Sequence, residues 1–497
     1  MPRTGTQYLD GLRDDRAVFI DGERVEDVTT HPAFREATRS VARLYDIASD
    51  PANADVMTAE SPYGGDPINI IHQIPRSRED LNARRRGLRK WSESTFGTMG
   101  RSPDHVAAFF AGFAGNAGVF GRAGKEYAEN VVNFHRKMCE EDLYLAYTIV
   151  PPQIDRSKPA SGQADPHLYA GVKEERDDGI VIKGAQMLGT GAALADYIQL
   201  SSIFPLRPGD ENYAISVAVP VSAPGVQVYS RRSYAEGATS VFDYPMSSRF
   251  DETDSLVVYD DVFIPWEHVF IYRDVDLVAA QWWETSAHVL GNHQAQVRFN
   301  TKLDFLTGIA HRVAEMNGIA SLPPVQSSLG ELAAHTSLVG GLVHGAEQNC
   351  MIDDEGVCHP GHAETYANMT LQSELYPKVL GMIRELCGGG LIQLPSSVED
   401  LKSGEIGPVL ERYVQSPGVT SEERVKLLKL AWDMVGSEFA SRHLQYEMFY
   451  AGAPFVVKMR MYKNFDFDRA DALVDKALDA YDLDGMKDEV ATAEGES

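Results

Sequence analysis

The chain has 497 residues, 43% hydrophobic and 24% charged, which is long enough for about two to four domains with large cores. Acidic residues outnumber basic ones by 72 to 46, and the net charge of −26 argues against nucleic acid or an anionic membrane as a partner. No stretch approaches the ~20 consecutive apolar residues of a membrane span, and the N-terminus lacks the apolar core of a signal peptide, so we expect a cytoplasmic protein.

Apolar residues follow different spacings in three successive zones. In residues 1–150 they recur every three or four positions, which predicts a helical N-terminal domain. The predicted helices cover TQYLDGLRD (6–14), HPAFREATRSVARLYDIASD (31–50), SREDLNARRRGLRKWSESTF (77–96), PDHVAAFFAGFAG (103–115) and KEYAENVVNFHRKMCEEDL (125–143).

The second and third zones differ from each other as clearly. Residues 151–275 form short, β-branched segments broken by Gly, Pro and Asp, which predict a compact β domain. Long helical patterns that begin at Leu277, Gln326, His362 and Ser421 predict a C-terminal helical bundle over 276–497, with a disordered tail at 488–497. Helices, a β domain and a helical bundle in this order indicate the α+β class.

The stretch MGRSPDH (99–105) predicts the start of a helix. Ser102 suits the N-cap and Pro103 the first turn, directly ahead of an apolar run. A helix N-terminus favours an anion, and Arg101 adds a permanent positive charge just outside the cap. These residues leave two interpretations open: a site for a phosphate, carboxylate or phenolate, or a surface ion pair of Arg101 with Asp104 or another carboxylate.

The sequence lacks the motifs of the common cofactor and hydrolase classes. GTGAAL, which begins at Gly189, has no third glycine for a dinucleotide loop, and no Walker A, HExxH or GxSxG pattern occurs. The four cysteines have no CxxC spacing, so we predict neither disulfides nor a metal site. Acidic runs such as DETD (251–254) are scattered, which predicts a solvated acidic surface.

Five stretches, taken together, resemble a known family. They are MGRSPDH (99–105), YTIVPPQIDRSK (147–158), KGAQMLGTGAALADY (183–197), DYPMSSRFDETDSLVVYDDVFIPWEHVFIYRD (243–274) and GSEFASRHLQYEMFYAG (436–452). Over nearly its whole length the chain closely resembles the reduced-flavin-dependent aromatic monooxygenases. That family is typified by the oxygenase component of 4-hydroxyphenylacetate 3-monooxygenase and by the phenol and chlorophenol monooxygenases.

This resemblance implies an acyl-CoA-dehydrogenase-like fold, a homotetramer, and reduced FAD supplied by a separate NAD(P)H-dependent flavin reductase. In the family the reduced flavin reacts with O₂ to a C4a-hydroperoxide, whose distal oxygen passes to the ring of a phenol. Because the hydroperoxide is an electrophile, the phenol must be ionised, and a plain phenol titrates near ~10, like tyrosine. The site therefore needs a base and a cation that holds the phenolate.

The resemblance assigns these roles to particular residues. Arg101 matches an arginine that contacts the substrate hydroxyl. His105 stands where the phenylacetate hydroxylases have tyrosine, and Tyr147 where they have histidine. Either the same pair is built from opposite sides or the substrate is not 4-hydroxyphenylacetate. We favour the second, because His293 in VLGNHQAQVRF matches a histidine that acts as base in chlorophenol-type relatives.

Further site residues also follow from the resemblance alone. Thr190 matches a threonine that hydrogen-bonds flavin N5, and Arg156 suits a phosphate or the flavin ring edge. The expected substrate contacts are Arg101, His105, Tyr147, Ser202 and Ile203. The expected flavin contacts are Tyr147, Val150, Gln153, Ile154, Asp155, Arg156, Thr190, Arg442, Tyr446, Phe449, Tyr450, Ala451 and Gly452.

We therefore expect a monooxygenase for a phenol or chlorophenol. Arg101 anchors the phenolate, and His293, helped by His105 or Tyr147, takes the phenol proton. The alternatives are the same chemistry on 4-hydroxyphenylacetate and, more remotely, a non-catalytic relative that binds flavin. The similar 4-hydroxybutyryl-CoA dehydratases hold an iron–sulfur cluster through cysteines that this chain lacks around 99–105 and after His293.

Overall fold

The computed structural model describes residues 1–483 and 485–486, and the tail predicted to be disordered, 488–497, lies outside them. Helices from both ends of the chain pack around two β-sheets, which confirms the predicted α+β class. Among the described residues no helix combines the length and the apolar character needed to cross a bilayer.

The five helices predicted in the first zone are all present. The helices up to the sheets are α1 (Gly5–Gly11), α2 (Arg35–Ser49), α3 (Ala54–Met57), α4 (Arg78–Ser94), α5 (Pro103–Gly115) and α6 (Lys125–Glu141), and α7 (Ser247–Phe250) lies among the strands. Local signals set their ends: the Ser77 hydroxyl and the Asp80 carboxylate form a capping box at the start of α4. Helix α5 is buried on nearly every side, as an apolar helix without a polar face must be.

Two sheets form the centre of the molecule. The strands are β1 (Ala17–Ile20), β2 (Glu23–Val25), β3 (Thr58–Ala59), β4 (Ile68–Asn69), β5 (Leu145–Thr148), β6 (Gly171–Arg176), β7 (Gly179–Gln186), β8 (Tyr197–Leu200), β9 (Ile215–Pro220), β10 (Val226–Ser230), β11 (Ser255–Pro265), β12 (Val269–Tyr272), β13 (Met351–Ile352), β14 (Cys358–His359), β15 (Tyr481–Asp482) and β16 (Gly485–Met486). The larger sheet has the order β2-β1-β10-β11-β7-β6, and the smaller one β12-β9-β8-β5. The short pairs β3–β4, β13–β14 and β15–β16 are separate ladders.

Segments from the first 150 residues complete both sheets. Strand β1 pairs in parallel with β10, with Val18 opposite Val228, and β5 pairs in parallel with β8. The helical periodicity of this zone gave no sign of β1, β2 or β5. The predicted boundary at residue 150 therefore lies just beyond a strand of the smaller sheet.

The C-terminal zone is a helical bundle, in agreement with its periodicity. Its helices are α8 (Val275–Trp283), α9 (Ala287–Met316), α10 (Pro323–Gln348), α11 (His362–Cys387), α12 (Val398–Lys402), α13 (Gly407–Tyr413), α14 (Ser421–Val435), α15 (Glu438–Phe449), α16 (Pro454–Asn464) and α17 (Phe467–Asp479). Two patterns that read as continuous are broken, between α8 and α9 and at Gly436 between α14 and α15.

Helix α9 is the central element of the bundle. It packs against α4, α5, α10 and α11, so residues on different faces of one helix enter different surroundings. Gln294 and Arg298, four residues apart, face α5 and α15, whereas Val297 packs with Leu88 of α4 and Val343 of α10. This division decides which side chains of α9 reach the site described next.

Candidate active site

The loop before α5 forms as the sequence predicts, but its arginine is buried. Ser102 is the N-cap residue and Pro103 the first residue of α5. The Ser102 hydroxyl donates to Asp104 Oδ1 at 2.6 Å instead of capping a backbone N–H. Arg101 is 8% exposed and makes no ion pair with Asp104. The interpretation as a surface ion pair is therefore wrong.

Tyrosine rings surround the Arg101 guanidinium. Its Cζ lies 4.0 Å from the ring centroid of Tyr450, 5.1 Å from that of Tyr147 and 5.4 Å from that of Tyr446. Nη2 donates to the Tyr450 carbonyl at 3.5 Å, but the buried Nη1 has no hydrogen-bond partner among the described residues. A buried cation with a free donor fits an anionic ligand oxygen.

Glu252 fixes the position of this loop. One of its oxygens accepts from the backbone N–H of Gly100 at 2.7 Å and of Arg101 at 2.9 Å, and the Tyr144 hydroxyl donates to the Arg101 carbonyl at 2.6 Å. Burial raises the pKa of Glu252. Asp251 and Glu252 are each 1% exposed, so the prediction that the DETD run lies on a solvated surface is wrong.

The reason for this burial is that the acidic run meets two largely buried arginines. Asp254 accepts from Arg442 at 2.6 and 3.0 Å, from Arg231 at 2.9 Å and from the Thr190 hydroxyl at 2.7 Å. Burial acts to raise the pKa of Asp254, but Arg442 and Arg231 outweigh it and hold that pKa well below its usual range. Asp254 thus joins Thr190 and Arg442, two predicted flavin contacts that lie far apart in the sequence.

His105 lies on the first turn of α5, in contact with the same tyrosines. It is 3% exposed, and its ring centroid is 5.5 Å from that of Tyr147 and 5.8 Å from that of Tyr450. Burial, with a further contribution from Arg101, lowers the pKa of His105 well below its ordinary value, so the ring is neutral at neutral pH. Nδ1 lies 3.1 Å from Gln294 Oε1, and the buried Nε2 has no partner among the described residues.

Helix α15 closes the other side of the site. A Cβ on Gly100 would lie 2.1 Å from the Tyr446 hydroxyl oxygen, so only glycine allows this approach of loop and helix. The Tyr446 ring also stacks on Arg442, with the guanidinium carbon 4.2 Å from its centroid. At the end of the helix the predicted contacts become accessible: Phe449, its last residue, is 45% exposed, and Gly452 is exposed as well.

The segment after β5 borders a cleft of about 320 Å³. Gln153 and Arg156 line it, together with Ser202 from the loop after β8. Ile154 is 52% exposed, and Asp155 pairs with Lys158 at 3.2 Å. Three cationic side chains line the cleft: Arg156, Lys158 and Arg207. Val150 and Ile203 pack beside Tyr147 on the same apolar cluster.

The structure does not bring His293 to this cluster. Its Nε2 lies 2.9 Å from Glu347 Oε1, and the other oxygen of Glu347 accepts from Arg85 at 2.9 Å. His293 lies about 100° around the helix axis from Gln294. In the described part of the chain it shares no hydrogen bond or ring contact with Arg101 or His105.

Sequence reasoning also missed residues that organise the site. Glu252 and Asp254 stand in the quoted stretch SSRFDETDS, but their hydrophilicity suggested a surface position. Gln294 is the direct neighbour of His293, and no spacing rule distinguishes which of the two faces α5. Helix α9 mixes polar and apolar residues along its whole length, so no local signal singles out Gln294 and Arg298.

Known proteins share this sequence over nearly its full length. The family model for the N-terminal part of 4-hydroxyphenylacetate 3-hydroxylase matches residues 4–271, and the family model for its C-terminal part matches residues 278–479. The chain is 38% identical over 466 residues to the 4-hydroxyphenylacetate 3-monooxygenase oxygenase component of Pseudomonas aeruginosa, which covers 92% of this chain and 88% of that protein. It is 35% identical over 495 residues to the oxygenase component of a 4-nitrophenol 2-monooxygenase from a Rhodococcus species, covering 97% and 93%.

Solved structures agree with the sequence relatives. The oxygenase component of a 4-hydroxyphenylacetate 3-monooxygenase, complexed with FAD and 4-hydroxyphenylacetate, superposes with a TM-score of 0.90 at 34% identity and covers 96% of this chain and 99% of its own. An archaeal 4-hydroxybutyryl-CoA dehydratase, 23% identical, superposes with a TM-score of 0.88 over 98% and 97% of the two chains, a likeness of fold alone. The expected acyl-CoA-dehydrogenase-like fold is confirmed.

Proposed function

This chain belongs to the 4-hydroxyphenylacetate 3-hydroxylase family, and on that premise we propose that it hydroxylates a phenol as the oxygenase component of a two-component flavin monooxygenase. Reduced FAD comes from a separate NAD(P)H-dependent flavin reductase, and O₂ is the second substrate. One observation carries the proposal: the buried Arg101, with a free donor, lies beside the buried neutral His105 within a wall of three tyrosines.

The residues present fit FAD. The guanidinium groups of Arg156 and Arg207 line the cleft after β5 and make no hydrogen bond or ion pair within the described residues, so they are available to a diphosphate. Thr190 and Arg442, joined through Asp254, and Tyr446 of α15 are the groups that would hold the flavin ring. Reduced FAD, when bound, supplies together with O₂ the electrophilic oxygen that the aromatic ring accepts.

The protein's own residues prepare the phenol for this oxygen. Arg101 holds the phenolate oxygen, because a charge-assisted hydrogen bond in a buried site stabilises the anion far more than water-exposed contacts do. His105 takes the phenol proton at Nε2. The rings of Tyr147, Tyr446 and Tyr450 shield the ion pair from water, which strengthens it. We thus propose His105 as the base, a role that the family resemblance gave first to His293. A catalytic role of His293 stays a prediction.

We propose a phenol or a chlorophenol as the substrate. His105 and Tyr147, exchanged relative to the residues expected in the phenylacetate hydroxylases, now lie in ring contact at 5.5 Å and line the site with Arg101. One relative in this family is named for 4-nitrophenol, which is likewise a substituted phenol without an acetate side chain. The competing substrate is 4-hydroxyphenylacetate, which a similar structure contains.

The purified chain, FAD, a flavin reductase, NADH and O₂ test the function directly. Phenol, chlorophenols, 4-nitrophenol and 4-hydroxyphenylacetate are compared by product mass, halide release and hydrogen peroxide formed. We expect a catechol or hydroquinone, and the most complete coupling of NADH oxidation to product with phenol or a chlorophenol. Better coupling with 4-hydroxyphenylacetate would reverse the substrate assignment. Hydrogen peroxide without hydroxylated product from any phenol would overturn the function.

The assembly and the compartment are also proposals. We propose a homotetramer, as the family resemblance implies, because α16 and α17 expose apolar side chains, among them Phe455, Tyr462 and Leu473, that a second copy would cover. Light scattering at several concentrations tests it, and a monomer would contradict it. We propose the cytoplasm as the compartment, consistent with four cysteines that are all free thiols.

A further inference from the structure

The two ring nitrogens of His105 have different surroundings. Nδ1 lies 3.1 Å from Gln294 Oε1 and 3.3 Å from the Tyr450 hydroxyl. That hydroxyl can donate its proton to the Gly100 carbonyl, 3.2 Å away, which leaves a lone pair to accept from Nδ1. Nε2, in contrast, is buried and has no partner among the described residues.

The Gln294 side chain lies close to both His105 and Asp104. The Gln294 side chain faces the buried Asp104 carboxylate: burial raises the pKa of Asp104, and the contact with Gln294 acts against that rise. Only the NH₂ end of an amide stabilises a carboxylate, although here the two groups are not aligned as a full hydrogen bond. The amide oxygen is the end that meets His105, 3.1 Å from Nδ1, and the buried NH₂ end has no hydrogen-bond partner among the described residues.

We propose that Gln294 is a positioning residue that holds the neutral His105 as its Nδ1–H tautomer and so keeps Nε2 free to accept the proton of the bound phenol. This inference rests on the proposed function and deepens it. Two oxygens accept from Nδ1–H, and a histidine with a proton on one nitrogen keeps a lone pair on the other. The free lone pair and the free Arg101 Nη1 belong to two buried side chains that both contact the rings of Tyr147 and Tyr450.

The proton transfer leaves the charge of the site unchanged. The phenol O–H bond breaks, its electron pair stays on the phenolate oxygen, and the proton forms an Nε2–H bond. The positive charges of Arg101 and Arg298 disfavour the imidazolium cation. The negative charge of the phenolate, formed in the same step, compensates for this repulsion. The other titratable groups that face His105 are Tyr147, Tyr450 and, through Gln294, Asp104.

Gln296 provides a matched control on the same helix. It is 2% exposed, compared with 1% for Gln294, and its amide donates to Gln372 Oε1 at 2.8 Å. It makes no contact with His105 in the described part of the chain. Gln296→Leu therefore removes a similarly buried amide from the same helix without changing the hydrogen bonds of His105.

The tautomer is measured by ¹⁵N NMR of histidine-labelled protein, with the His105 signal identified by its loss in His105→Gln. We expect a protonated Nδ1 and an unprotonated Nε2 in the unsubstituted chain and in Gln296→Leu. In Gln294→Leu we expect Nε2 to gain proton occupancy, because one of the two acceptors at Nδ1 is lost. An Nε2–H tautomer in the unsubstituted chain, or no change in Gln294→Leu, would overturn the proposal without reference to any substrate.

The consequence for a phenol is measured with 4-nitrophenol, whose phenolate form alone absorbs visible light strongly. A pH titration of the complex without flavin gives the apparent pKa of the bound phenol. We expect Gln294→Leu to raise it by about one unit, roughly a tenfold loss of phenolate at a fixed pH. Gln294→Glu, nearly identical in shape, keeps an oxygen that accepts from Nδ1–H, so we expect it to keep the Nδ1–H tautomer and to leave that pKa near its value in the unsubstituted chain.

The outcomes separate the two proposals. An equal rise in Gln294→Leu and Gln296→Leu, or a rise in Gln294→Glu, contradicts the role of Gln294 while leaving the oxygenase function intact. Failure of the unsubstituted chain both to bind and to hydroxylate any phenol contradicts the function. The NMR result then still decides whether Gln294 sets the tautomer.

Discussion

Replacing Glu447 by glutamine will destabilise the fold strongly, because it removes the counter-ion of two buried cations. Glu447 is 1% exposed on α15. Its carboxylate accepts from Arg298 at 2.6 and 2.8 Å and from Lys302 Nζ at 2.9 Å. Both cations are fully buried on α9, so water cannot replace the lost charge.

The magnitude follows from the carboxylate's own titration. Burial acts to raise the pKa of Glu447, but Arg298 and Lys302 outweigh it and lower that pKa from 4.5 to about 2, which corresponds to about 3 kcal/mol in favour of the charged form. Breaking a buried pair by removing one partner costs about 3–5 kcal/mol. Burial already lowers the pKa of Lys302 to about 8, so its loss of a proton limits the damage. We expect about 3 kcal/mol.

Urea unfolding followed by tryptophan fluorescence, at one protein concentration, measures this loss. Glu438→Gln is the control: it lies on the same helix and pairs with Arg232 at 3.1 Å, but the two side chains are 63% and 66% exposed. We expect the control to change the free energy of unfolding by less than about 0.5 kcal/mol. Adding Lys302→Met to Glu447→Gln removes one unpaired cation and restores part of the loss. A loss no larger in Glu447→Gln than in the control would refute the reasoning.

The same carboxylate gives the stability a defined pH dependence. Its pKa is lower in the folded than in the unfolded chain, so its contribution is complete above the ordinary pKa of 4.5 and disappears as the pH falls to about 2. Glu447→Gln should lack this part of the acid-induced loss. A parallel decline of both proteins between these pH values would show that other groups dominate.

Five further substitutions, at four positions, test the proposed site. Arg101→Met should raise the share of NADH that ends as hydrogen peroxide, with Arg101→Lys between the two because it keeps the charge but not the forked donor. Asp254→Asn removes the charge that holds Arg442, and we expect FAD affinity, measured by flavin fluorescence, to fall about tenfold, or about 1.4 kcal/mol. His105→Gln should lose more coupling to hydroxylated product than His293→Gln, because of the two histidines only His105 contacts the Tyr147 ring on which Arg101 also lies.

Each of these has an opposite outcome that would count against it. Unchanged coupling in Arg101→Met would remove that residue from the anchor role. Asp261→Asn, which disturbs only exposed pairs with Lys173 and Lys183, is the control for Asp254→Asn, and equal FAD affinities in the two would contradict the link to the flavin. The larger loss in His293→Gln would restore the base role that the sequence assigned to it.

The sequence by itself determined the local elements and the class of fold. Helices such as α2, α4 and α6 follow from apolar residues at three- and four-residue spacing, and α5 begins where Ser102 and Pro103 predict it. These features depend on residues a few positions apart, so a local pattern contains the information. The five ordered stretches likewise identified the family, and with it the flavin and the phenol, before any contact was known.

Only the tertiary structure decided which residues form the site. Glu252 reaches Gly100 across 152 positions, and Tyr450 lies on His105 across 345, contacts that no local period encodes. A hydrophilic run such as DETD looks solvated until the largely buried arginines that pair with it are placed, because burial of charge depends on its partners. On α9, one step of about 100° separates Gln294, which meets His105, from His293, which meets Glu347. The packing of neighbouring helices chooses between those faces, and so it chooses the residues that face the phenol.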